Sequence, residues 1–399
     1  MEKYRFLIWL NVVLDGDASL ISRLIDKFGS AEAVYYAETE EYYRKLKNIS
    51  DLTVDKLSDK SMKPADECME FCERYNVRIL TLDDPDYPDV LKYIHLPPRL
   101  LYVMGERIDI NELFCVAVVG TRACTKYGLN TARKISYELA AQGATIVSGI
   151  ADGIDAEAHK ACIEAGGKTI AVLGNGLSVA YPAVNRNLYK SVLQSGMLVT
   201  EFPPYSKPKG YHFPVRNRII SGLSQATAVI ESHERSGALI TADCALTQGK
   251  SIYAIPAKIG DAAGAGNLEL IKKGAKILTS ATDILEEFEL LYPHIIKINR
   301  KLSAPLPIDN NREETVIEKK KPQIIKQTDI SETNNFEQMT PMQKKIAELI
   351  LKSRALTADE IAEHGISMDD TLMELTTMEI FGMVTAVPGG KYKLNNRKE

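Results

Sequence analysis

The chain has 399 residues, 45% hydrophobic and 7% aromatic, with a formal net charge of −4. At about 100–200 residues per domain, this length predicts two or three domains, each able to bury a core. The slightly acidic balance excludes a histone-like polycation, so any nucleic-acid binding has to come from a local basic patch. The six cysteines are scattered: Cys68 and Cys72 sit one helical turn apart rather than in a metal knuckle, while Cys115, Cys162 and Cys244 fall in apolar patterns and read as core. This usage fits a reducing cytosol and a cytoplasmic protein. FLIWLNVVL near the start is preceded by an acid and lacks a small-residue cleavage site, so it does not read as a secretory signal. No apolar run approaches the roughly 20 residues of a membrane span.

Residues 1–75 read as helical, opened by Ile8, Leu10, Val12 and Leu14. KFGSAEAV combines a helix stop at Gly29, an N-cap at Ser30 and a new helix from Ala31. Two short helices around a glycine turn resemble a SAM or helix-hairpin-helix unit, which often touches DNA backbone; a small packing bundle is the better-supported alternative. A helix over Pro64–Arg74 leads into the next region.

Over 76–292 the pattern becomes strands alternating with helices. RILTL, LLYVMG, FCVAVVG, ATIVSG, KTIAVLG, MLVTEF, ATAVIES, SIYAIP and KILTS read as buried parallel strands. The rhythm predicts an α/β fold, an extended Rossmann-type doubly wound and mostly parallel sheet. Residues 293–338, with proline, asparagine and mixed charge, read as a flexible linker. Order returns at Thr340, which caps a helix beginning at Pro341; LTADEIAEHG and SMDDTLMELTTMEIFG give two more helices, and MVTAVPGGKYKL a hairpin. Three helices and a hairpin over 339–395 predict a winged-helix module.

Ligands of open α/β sheets sit beyond the carboxyl ends of the strands. FCVAVVG is followed by Thr121 and Arg122 where a dinucleotide site would have GxGxxG. An arginine between a strand and a helix N-terminus is a phosphate site, and Thr121, Thr125 and Lys126 converge on the same turn. FPVRNR puts Arg216, Asn217 and Arg218 in the first turn of a helix begun by Pro214, where cations are unfavourable unless an anion compensates. Lys207, Lys209 and His212 precede it, interleaved with Tyr205, Tyr211 and Phe213. Cations alternating with rings suit a single nucleic-acid strand. Alternatively, one arginine is buried against an acid such as Glu201 or Glu231. In AYPAVNRNL, Asn185 can cap a helix or reach a base, and Arg186 can reach a phosphate. Arg235, Ser236 and Gly237 form either a phosphate nest or a plain N-cap at another helix start.

Enzymatic motifs are weak. GGKT (166–169) and GKS (249–251) lie after helices and before strands, the reverse of a phosphate-binding P-loop. His159 with Asp152 and Asp155 has metal-ligand types, but Asp155 reads as a helix cap and His159 as a packed histidine. No GxSxG elbow is present at Ser148 or Ser221.

In order, VVGTR, SGIADGIDAEAHKA, VLGNGL…YPAVNR, TEFPP, FPVRNRIISGLS and SGALITA…QGK resemble the DNA-processing protein A family (DprA, or Smf). The resemblance implies a non-catalytic, typically dimeric binder of single-stranded DNA. Such a protein protects incoming strands in natural transformation and loads the RecA recombinase, without a cofactor. It implies DNA contacts at Arg122, Arg186, Arg216 and Arg218, with Arg186 standing where a lysine is common. The expected third tail helix carries Asp369, Asp370, Glu374 and Glu379 and no cation, and only the hairpin, with Lys391 and Lys393, is basic. A duplex-reading helix should be basic, so the tail reads as a protein-contact or regulatory module. Two other readings stand beside this one. A nucleotide phosphoribohydrolase of the LOG type would want a glutamate after Thr241, where only Asp243 is offered. A winged-helix transcription regulator is opposed by the acidic third helix.

Overall fold

The computed structural model describes residues 4–46, 49–299, 339–368, 371, 374–375, 378–379, 383–387 and 390–395. The nine apolar runs become β1 (Arg78–Thr81), β2 (Leu100–Gly105), β3 (Cys115–Val119), β4 (Thr145–Ser148), β5 (Thr169–Val172), β6 (Gly196–Thr200), β7 (Ala226–Val229), β8 (Ser251–Ala254) and β9 (Lys276–Ile277). They form one sheet in the order β1-β2-β6-β5-β4-β3-β7-β8-β9. The seven from β6 to β9 are parallel. β2 is antiparallel to both β6 and β1, which corrects the expectation that these first two runs are parallel. A parallel pair needs a covering crossover, and only the four-residue helix Asp89–Lys92 lies between β1 and β2.

All residues of β3 through β7 are buried, as both faces of a parallel sheet require. From β3 the chain builds outward through β4, β5 and β6. It then crosses back to lay β7 on the other side of β3. The crevice beyond β3 and β7 is therefore the topological switch point.

The amino-terminal helices follow the sequence signals. Ala18–Phe28 ends at Gly29 with φ 94°, and the Ser30 side chain accepts from the Ala33 amide to open Ala31–Tyr36. These helices pack on the sheet. Buried Asn11 donates to the Glu201 carbonyl at 3.0 Å and accepts from the Tyr102 hydroxyl at 3.0 Å. Cys115 and Cys162 are buried, whereas Cys244 is only half-buried, on the outer part of the helix Gly237–Thr247.

Residues 293–299 do not open a free linker. Ile296 is buried, and the amides of Lys297 and Asn299 donate to Gln142 at 3.1 and 2.6 Å. The rest of the expected linker, 300–338, lies outside the described residues. Thr340 caps the helix Pro341–Ser353 in a capping box with Gln343. The helix Ala358–Ala362 follows, and strands Leu356–Thr357, Lys391–Leu394 and Val384–Val387 pair in that spatial order. Of the acids expected on the third tail helix, Glu374 and Glu379 are described; Asp369, Asp370 and the Pro388–Gly389 part of the turn lie outside the described residues.

Candidate nucleic-acid interface

A cleft of about 690 Å³ opens at the switch point, lined by residues that include Gly120, Thr121, Arg122, Asp155, Tyr181, Phe213, Arg216, Arg235 and Gly237. A recess of about 220 Å³ adjoins it, lined by Arg122, Gly149, Asp152, Tyr181, Pro182, Phe213 and Arg216 among others.

The turn after β3 builds one wall. At Gly120 a Cβ would stand 2.5 Å from Ile154, so only glycine lets the turn pass over the helix Ile154–Glu164. The Thr121 amide donates to the Glu231 carbonyl at 2.8 Å, and the Thr121 side chain is buried. Thr125 caps the helix Lys126–Ala141 by accepting from the Gly128 amide at 3.0 Å. The Thr125 amide and hydroxyl both donate to the Glu231 carboxylate, the amide at 2.8 Å. With the turn fixed from below, Arg122 and Lys126 stand exposed, and neither has a carboxylate partner among the described residues. The Arg122 guanidinium lies 5.3 Å from the Phe213 ring centroid. Phe213 in turn stacks on Tyr181, with centroids 5.5 Å apart and planes at 29°. A Cβ on Gly174 would meet the Phe213 ring at 2.7 Å, so that glycine is the ring's seat. The result is a cation beside an aromatic platform, open to solvent.

The FPVRNR segment departs from its sequence reading. Its helix, His212–Leu223, starts two residues before Pro214, so Arg216 to Arg218 lie beyond the first turn and the helix-end argument fails. His212 is turned inward, stacked on Phe202 at 4.0 Å. Arg216 lines the cleft but is buried, donating to the carbonyls of Gly149 (2.8 Å) and Val172 and to the Asn217 amide oxygen (3.2 Å). Burial pushes its guanidinium down to about 10, with Asp155 opposing the shift. Asn217 donates to the Gly237 carbonyl at 3.3 Å. Arg218 does not face the cleft: it forms a bidentate pair with buried Glu201 at 2.8 and 2.7 Å. A carboxylate held out of water needs such a partner, so the alternative of one arginine buried against Glu201 describes Arg218. Glu231 partners Thr125 instead of an arginine.

The remaining sequence candidates divide. Asn185 stands at the N-cap position of the helix Arg186–Ser195 but makes no side-chain cap bond; it is buried and donates to the Ile150 carbonyl at 2.9 Å, so it does not reach outward. Arg186 is held by Glu379 at 2.7 Å and the Tyr392 hydroxyl at 3.0 Å, both from the tail. Lys209 is exposed but pairs with Asp15. Lys207 is exposed in the same loop. Arg235 is exposed on the cleft, and Ser236 caps the helix Gly237–Thr247 by accepting from the Ala238 amide at 3.3 Å. Nothing stands within 4 Å of a Cβ built on Gly237, which is exposed at that helix start.

His159 is fully buried, 2.7 Å from the Thr169 hydroxyl, and burial pushes it down to about 3. Asp155 does not cap its helix. Gly153 occupies that position with φ 79°, and the Asp155 carboxylate accepts from the Gly149 amide at 3.1 Å. Among the described residues no group of three or more His, Cys, Asp or Glu is placed to hold a metal. Sequence reasoning passed over Tyr181 and Gly174. The only local signals were an aromatic before proline in AYPAV and the paired glycines of VLGNG.

Fold and cleft thus define a doubly wound α/β protein with a cationic, aromatic groove at its switch point. Residues 78–289 match the model of the DNA recombination-mediator protein A family, and the chain belongs to that family of DNA-processing proteins. Protein Smf of Synechocystis sp. is 35% identical over 342 residues, covering 82% of each chain. DNA processing protein DprA of Streptococcus pneumoniae is 43% identical over 206 residues, covering 52% of this chain and 72% of that one. The X-ray structure of that pneumococcal DprA superposes with TM-score 0.53 at 33% identity, covering 71% of this chain and 99% of the other. Among the described residues no helix is long and apolar enough to cross a membrane.

Proposed function

We propose that this protein binds single-stranded DNA in the switch-point cleft without catalysing a reaction on it. In this reading it is a cytoplasmic homodimer that protects incoming strands in natural transformation and hands them to RecA. One observation carries the proposal: exposed, carboxylate-free Arg122 stands beside the Phe213–Tyr181 stack. Cations follow phosphates and rings accept bases of any sequence. Arg235 and Gly237 line the same cleft, and exposed Lys126 and Lys207 stand beside lining residues in the chain, while buried Arg216 lies beneath it facing Asp155.

The hydrolase alternative wants a carboxylate after Thr241, and the acids at the cleft, Asp152 and Asp155, come from a different turn. Asp243 lines a different pocket on the far side of Arg235, and Asp155 is engaged with the Gly149 amide. We read 339–395 as a winged-helix module making protein contacts, because Glu374 and Glu379 belong to the segment that would otherwise read duplex DNA. In an electrophoretic shift assay at fixed salt, a 20-nucleotide dT strand is retarded at concentrations that leave the matching duplex free. Equal or stronger retardation of the duplex contradicts the reading.

A further inference from the structure

The tail does not float free of the core. Gln343, in the first turn of Pro341–Ser353, exchanges hydrogen bonds with the Tyr75 hydroxyl at 2.8–3.0 Å and donates to Glu374 at 2.8 Å. The apolar tail residues Met339, Ile346 and Ile350 belong to the same buried cluster as Phe71, Tyr75 and Leu188 of the core. Glu379, almost fully buried, receives the Arg186 guanidinium at 2.7 Å, and its other oxygen lies 3.9 Å from the Lys190 ammonium. One tail carboxylate therefore neutralises two cations of the core helix Arg186–Ser195.

Neither cation lines the cleft or its recess, but Arg186 is carried by the turn that does. Arg186 follows Tyr181 and Pro182, which line the recess with Arg122 and Phe213. Asn185 ties the turn between them to Ile150, in the loop that contributes Gly149 and Asp152 to the same recess. A carboxylate and a phosphate compete for a guanidinium through the same two-oxygen geometry.

We propose that the tail is an intramolecular competitor of the DNA strand: Glu379 occupies the Arg186 guanidinium that a phosphate would take, so tail docking and extension of the strand along this wall exclude each other. This inference rests on the single-strand reading above. Docking by a tethered unit needs few contacts, because the tether supplies a high effective concentration. It also places Arg186 in two roles, a tail contact without DNA and a phosphate contact with it.

The test uses the full chain. Fluorescence anisotropy of labelled dT20 compares wild type, Glu379→Gln, Arg186→Ala and the double variant, and hydrogen exchange follows wild type with and without dT20. Releasing the competitor makes Glu379→Gln bind about fivefold tighter or more, within the usual range of coupling between sites. Adding Arg186→Ala removes that gain. In wild type, saturating dT20 speeds exchange in the tail helix Pro341–Ser353, whose contacts with the core are released. An unchanged or weaker affinity of Glu379→Gln, with wild type binding normally, overturns the inference and leaves the single-strand reading standing. Unchanged exchange on DNA addition overturns it even if the variant folds poorly. If no form binds dT20, both readings fall together.

Discussion

Phe213→Ala is expected to weaken binding of dT20 by about 1–3 kcal/mol, roughly 5- to 150-fold, the range for loss of one aromatic stacking partner. The ring is only half-buried, and it supports both Arg122 and Tyr181. Its loss removes a base platform and leaves the neighbouring guanidinium less fixed. Phe213→Trp retains the π-face and is expected to keep most of the affinity. Gly174→Ala should behave like a partial Phe213 deletion, because its new methyl must displace the ring that sits 2.7 Å from that position. Anisotropy titrations give the affinities. Melting curves on the same samples separate lost stacking from lost folding. A Phe213→Ala protein that folds and binds dT20 like wild type would remove the platform from the account.

The second large effect concerns stability. Glu201→Ala is expected to destabilise the fold by about 3–5 kcal/mol, since it strands the Arg218 guanidinium in the interior. Both members of this pair are nearly inaccessible, at 3% and 7% exposure. Replacing the two together by apolar residues of similar volume should recover much of the loss, because such swaps are often close to neutral. Urea denaturation of the single and double variants measures this. Where the single variant is folded, its affinity for dT20 should match wild type within about twofold, since Arg218 faces Glu201 and not the cleft. A large affinity loss with intact stability would return Arg218 to the DNA surface.

The sheet was legible because its strands are short, apolar and separated by amphipathic helices, a pattern that parallel packing imposes on sequence. The caps at Ser30 and Thr340 were legible for the same kind of reason, since a hydroxyl before an apolar helical run satisfies free amides locally. The direction of β1 and β2 was not, because an apolar run looks the same in either orientation. The cleft was located by the rule for strand ends, and Arg122 by its place between strand and helix. The two arginines of FPVRNR show the limit. Arg216 and Arg218 are two residues apart with identical chemistry, yet one donates to carbonyls beneath the cleft and the other pairs with Glu201. Which acid a buried arginine meets depends on a contact 17 residues away in sequence, and no local spacing encodes it. The same holds for Arg186, whose partner Glu379 lies 193 residues on. Tyr181 stayed hidden because its stacking partner Phe213 comes from a different turn.

A salt titration of dT20 binding by wild type and Arg122→Ala asks directly whether the switch-point cleft holds the strand's phosphates. Each phosphate neutralised on a single strand contributes about 0.7 to the slope of log affinity against log salt. The wild-type slope is expected to be steep and that of Arg122→Ala lower by about 0.7, with the variant binding every strand sequence more weakly alike. Superimposable titrations for the two proteins would contradict this expectation.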